Sequence, residues 1–82
     1  MSNLEKYDNA FMDSLGIKST QLEGLQYQDI PAWDSVGHMG LIAELEDVFG
    51  IMLDTDDIID FSSYEKGKDI LSNNYNIQFE DK

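Results

Sequence analysis

The chain has 82 residues, enough for one small core and too few for two domains. Seventeen acidic residues face five lysines and no arginine, and a net charge of -12 sets the chain against nucleic acid and anionic membrane surfaces. It contains no cysteine, which excludes disulfides, thiolate metal sites and a cysteine nucleophile.

Residues 1 to 10 are polar and acidic, without the basic segment and apolar core of a signal peptide. No apolar run approaches a membrane span, so the expectation is a cytoplasmic protein with no membrane insertion. The chain is 41% hydrophobic and its apolar residues are periodic, which argues for a folded domain rather than disorder. Ser2-Asn3-Leu4-Glu5 matches a capping box, and Leu4, Tyr7, Phe11 and Leu15 then recur at helical spacing until Gly16. Residues 17 to 34 form a long connection with Gly24 and Pro31, anchored by Ile17, Leu22, Leu25, Tyr27 and Ile30. Connections of this length in small domains are often functional.

A second helix is expected from Ser35 to Phe49, stopped by Gly50. Asp54 or Thr55 caps a short third helix over Asp56 to Asp60, carrying Ile58 and Ile59. Ser62-Ser63-Tyr64-Glu65 offers a second capping box, opening a last helix with Tyr64, Ile70 and Leu71 inward. Asn73, Asn74 and Asn76 are expected to end it. The tail, with Tyr75, Ile77 and Phe79, alternates like a strand but has no partner, so residues 75–82 read as frayed beyond a domain of residues 1–74. The expected fold is an all-α bundle of three main helices and one short helix, with a long loop between the first and second helices, in a monomer.

The second helix is unusual in carrying two apolar faces. At about 100° per residue, His38, Leu41, Ile42, Leu45 and Phe49 share one side, as an ordinary core stripe. Val36, Met39 and Ala43 lie nearly opposite, bordered by Glu46 and Asp47. A helix in a small bundle cannot bury both sides within its own domain. The second stripe either docks another protein or is covered by the preceding connection, and the acidic border favours docking. Gly37 and Gly40 each cost about 1 kcal/mol inside a helix relative to alanine, and they leave the surface beside Ser35 flat.

The segment WDSVGHMGLIAELEDVFGI, residues 33 to 51, resembles the acyl carrier protein family, in which an Asp-Ser-Leu-type motif opens an acidic second helix. LGI at residues 15 to 17, the long first loop and DTDDI at residues 54 to 58 extend the resemblance over roughly residues 3 to 72. The resemblance implies a non-catalytic carrier whose Ser35 hydroxyl receives a 4'-phosphopantetheine arm from coenzyme A through a phosphopantetheinyl transferase. Asp34 would support the site as helix cap, and the helix start suits a phosphate. The arm's thiol would hold an acyl, aminoacyl or hydroxyacyl cargo as a thioester, loaded by an acyl- or aminoacyl-loading ligase and consumed by downstream transferases. Val36 stands where the family usually has leucine, Gly37 and Gly40 replace acids, and Trp33 replaces a small residue. These departures point to a specialised carrier rather than one of fatty-acid synthesis.

Two other chemistries are weak. Catalysis by Ser35 would need a base, and the single histidine, His38, falls on the core side of the helix. Asp54-Thr55-Asp56-Asp57 suggests a calcium loop, but Ile58 and Ile59 occupy its fifth and sixth positions, where an acid and a glycine are needed, so no metal site is assigned. The rival reading is an acidic helical interaction module, an adaptor or inhibitor, which would need the docking stripe but not Ser35.

Overall fold

The three longer helices each begin where a side chain accepts from one of their first amides. In the computed structural model, which describes residues 2–79, Ser2 opens α1 (Asn3–Leu15) with a complete capping box. The Ser2 hydroxyl accepts from the Glu5 amide at 3.1 Å, and the Glu5 carboxylate accepts from the Ser2 amide at 3.0 Å. Asp34 opens α2 (Ser35–Phe49), α3 (Thr55–Asp60) follows Asp54, and Ser63 opens α4 (Tyr64–Tyr75). A single 3-10 turn, Ser19–Gln21, lies in the first loop. Among the described residues the architecture is all-α, and no helix is long and apolar enough to cross a membrane.

The core is a single cluster of aromatic and aliphatic side chains. Tyr7 and Phe11 of α1 pack with their rings tilted, 5.0 Å between centroids, and meet Phe61 and Tyr64, while Leu41, Ile42 and Leu45 of α2 share the same buried cluster with Leu15, Ile70 and Leu71. Gly67 of α4 permits the close approach: a Cβ there would collide with the Phe61 ring and the Tyr7 hydroxyl. That hydroxyl instead donates to the Tyr64 carbonyl at 2.6 Å, and the Tyr64 hydroxyl donates to Asp8.

The long first loop is ordered by its own burial. Leu22, Leu25 and Trp33 are core residues, and the loop backbone pairs with the α3–α4 connection. Tyr27 donates to the Ser62 carbonyl and Tyr64 to the Leu25 carbonyl, each at 2.9 Å.

Two local expectations need correction. Ser63, not Ser62, caps α4, accepting from the Lys66 amide at 2.9 Å. Of Asn73, Asn74 and Asn76, expected together to end that helix, only Asn76 does so. The helix runs through Asn73 and Asn74 to Tyr75, and Asn76 ends it in the left-handed region at φ 62°.

Residues 76–79 are not frayed. Ile77 donates to the Leu71 carbonyl at 3.1 Å, the Asn3 side chain donates to the Gln78 carbonyl at 2.9 Å, and Phe79 sits 5.2 Å from Tyr7 and 6.3 Å from Phe49. The alternating tail packs against the core rather than pairing as a strand, and Ile77 and Phe79 are partly buried there. The remainder of the expected tail, residues 80–82, lies outside the described residues.

Candidate functional site at the start of the second helix

Asp34 leaves the helix in an extended conformation, and its carboxylate accepts from the Gly37 amide at 2.8 Å while its carbonyl accepts from His38 at 2.7 Å. That arrangement makes Ser35 the first helical residue, with its side chain exposed. The amides of Ser35 and Val36 have no acceptor within the helix. Together with the helix dipole they form a partial positive charge beside the serine hydroxyl, suited to a phosphate attached at that oxygen.

Gly37 and Gly40, grouped together by the sequence, do different things. A Cβ on Gly37 would collide with the Ala32 carbonyl, so this glycine lets the end of the loop press against the first turn of α2. A Cβ on Gly40 would meet nothing within 4 Å, and here the missing side chain does leave open surface.

Ser35 lines an open pocket of about 350 Å³ between α2 and α3. Met39 and His38 line it from α2, Ile58 and Ile59 from α3, with Phe61, Ser62 and Tyr27 behind. Its wall is largely apolar, and its inner end is held by a hydrogen-bonded relay. The Trp33 indole N–H donates to His38 Nδ1 at 2.9 Å, and His38 Nε2 lies 2.9 Å from the Ile58 carbonyl. An indole can only donate, so Nδ1 accepts; Nε2 therefore carries the proton and donates to Ile58. Both ring nitrogens of His38 are engaged with the fold, and neither is turned to Ser35 as a base.

The proposed docking stripe stands free of the connection that was its alternative cover. Val36 is 79% and Met39 57% exposed, and Ala43 is exposed as well. The connection turns its own apolar residues, Leu22, Leu25 and Trp33, into the core instead. Ile59 and Met52, at 71% and 84%, add exposed apolar surface from the α3 side. The two acids separate. Asp47 is exposed, but Glu46 is half-buried and its carboxylate accepts from the Leu53 amide at 2.9 Å, tying α2 to the segment before α3.

Sequence reading overlooked most of the pocket. Nothing in the spacing links Tyr27, Ile58, Phe61 and Ser62 to Ser35, since they are far apart in the chain. One signal was available: a lone tryptophan and a lone histidine five residues apart, each needing a polar partner if buried. Comparison with models of known protein families, with curated proteins and with solved structures returns no match.

Proposed function

We propose that the chain is a carrier of the acyl carrier type, in an acyl-carrier-like helical bundle, bearing 4'-phosphopantetheine on the Ser35 hydroxyl. The arm's thiol holds an acyl, aminoacyl or hydroxyacyl group as a thioester and presents it to partner enzymes. One observation carries the reading: Ser35 is an exposed first-turn serine that lines a largely apolar pocket beside the exposed Val36–Met39 surface. A substrate serine for a transferase must be reachable, must tolerate a phosphodiester, and must sit beside a surface the enzyme can grip. This position meets all three requirements.

In the loading step the Ser35 oxygen forms a bond to the phosphorus nearest the pantetheine in coenzyme A. The pyrophosphate bond breaks, adenosine 3',5'-bisphosphate leaves, and the serine proton passes to a base of the transferase. With both nitrogens of His38 engaged, the carrier supplies no base of its own from that side chain. A net charge of -12 favours partners with basic docking faces.

Intact mass tests the reading. Incubation with coenzyme A and a broad-specificity transferase adds one arm to the wild type and none to Ser35→Ala. A wild type that gains no mass would leave the acidic interaction module as the better reading.

A further inference from the structure

We propose that Trp33 closes the bundle interior to the cargo, so that the surface pocket receives the proximal part of the arm and the cargo rides outside. The inference rests on the carrier reading of Ser35.

Trp33 lies just before the attachment residue in sequence and is fully buried. Its ring meets Phe11 of α1 edge-on at 5.4 Å and Tyr27 edge-on at 6.0 Å, so it sits between the first loop and the core. The indole is held by His38, and His38 is held by the Ile58 carbonyl, so two hydrogen bonds run from the loop through α2 to α3. A chain entering the bundle from Ser35 between α2 and α3 would have to part the His38–Ile58 bond and turn the His38 ring away from Trp33. It would leave the indole N–H without a partner in a low-dielectric interior, where an unpaired donor is heavily penalised. The phenyl ring of Phe61, 1% exposed, stands 5.9 Å from the His38 ring and backs the same barrier.

The pocket outside this barrier begins at Ser35 itself. A group tied to the Ser35 oxygen delivers its first atoms there, and in pantetheine the first bulky apolar group is the dimethyl-bearing carbon, one methylene beyond the phosphate ester oxygen. Met39 and Ile58 offer that group an apolar wall, while the thiol end lies many bonds further out. A long hydrocarbon cargo left in water gains no shielding from this fold. The cargo class that suits such a carrier is therefore a short or polar acyl group.

The test loads the full chain with coenzyme A, acetyl-coenzyme A and octanoyl-coenzyme A in parallel, with intact mass confirming each product. Isotope-filtered nuclear Overhauser spectra and thermal melts follow. In the wild type, the arm's dimethyl protons contact Met39 and Ile58, octanoyl protons make no contact with Leu45 or Leu71, and acetyl and octanoyl forms melt together. In Trp33→Leu, octanoyl reaches Leu45 or Leu71 and melts higher than acetyl. Octanoyl contacts with Leu45 or Leu71 in the wild type, or a higher melt for its octanoyl form, overturn the inference while leaving the carrier reading intact. A Trp33→Leu protein that folds yet still excludes octanoyl removes Trp33 from the role, and if that variant does not fold the wild-type spectra decide. Absence of any mass gain overturns the carrier reading and this inference with it.

Discussion

The indole N–H of Trp33 points at Nδ1 of His38, 2.9 Å away, and this one bond determines which nitrogen of the histidine carries its proton. A loop residue thereby dictates the state of a helix residue, which in turn holds α3 through the Ile58 carbonyl at 2.9 Å. Long-range proton–nitrogen spectra should show His38 as the Nε2–H tautomer. Trp33→Phe keeps an aromatic ring but leaves Nδ1 without its donor, and its loss of stability should be about 1–3 kcal/mol in urea melts. A wild-type Nδ1–H tautomer would contradict the relay.

The two glycines of α2 should respond to alanine with opposite signs. Gly40→Ala adds a methyl to open space in a helix and should stabilise the fold by about 1 kcal/mol. Gly37→Ala should destabilise it despite the same gain in helix propensity, because the Ala32 carbonyl occupies the space of the new Cβ. Equal effects in denaturant titrations would show that the loop yields freely.

On the carrier reading, one apolar stripe of α2 serves stability and the other recognition. Leu45 is fully buried, and Leu45→Ala should cost about 2–5 kcal/mol. Met39→Glu should melt with the wild type but slow arm transfer, since it places a charge in a contact that must lose water. Unfolding by Met39→Glu would return that stripe to the core.

Glu46 and Asp47 are adjacent acids with different work. Asp47→Lys should leave the melt unchanged and lower partner association most at low salt. Glu46→Lys should also lower stability, by about 1–3 kcal/mol, because the Leu53 amide loses its acceptor. Identical melts for the two variants would refute this division.

Alkaline pH should expose the buried tyrosine. Burial, then the nearby Tyr64, Glu65, Asp8 and Asp69 charges, raise the Tyr7 hydroxyl well above its ordinary value of 10.0. The folded state thus holds this proton more tightly than the unfolded state. Its contribution is fully present below about pH 10 and is lost as pH rises through the folded value. Tyr7→Phe should lose about 0.5–1.5 kcal/mol at neutral pH, with the bond to the Tyr64 carbonyl, yet decline less steeply above pH 10. A parallel decline in both proteins would assign the alkaline loss elsewhere.

Local chemistry made much of this protein legible in the sequence. Ser2 and Asp34 as caps, Gly16 and Gly50 as stops, and the Leu41–Ile42–Leu45 stripe depend on neighbours within a turn or two of helix, so spacing alone reveals them. The same spacing located the exposed stripe of Val36, Met39 and Ala43, because a helix has two sides and the core can take one. Tertiary structure decided what spacing cannot see. Trp33 became core because Phe11 and Tyr27 meet its ring, Gly37 became obligatory because the Ala32 carbonyl crosses it, and Glu46 parted from Asp47 because its carboxylate accepts from the Leu53 amide. The tail found Tyr7, and Ser35 acquired the walls of its pocket from α3. Some of these join residues far apart in the chain, as Tyr7 with Phe79, and others lie across a bend between elements, as Gly37 with Ala32; all are set by how the elements pack and not by the order in which the residues are joined.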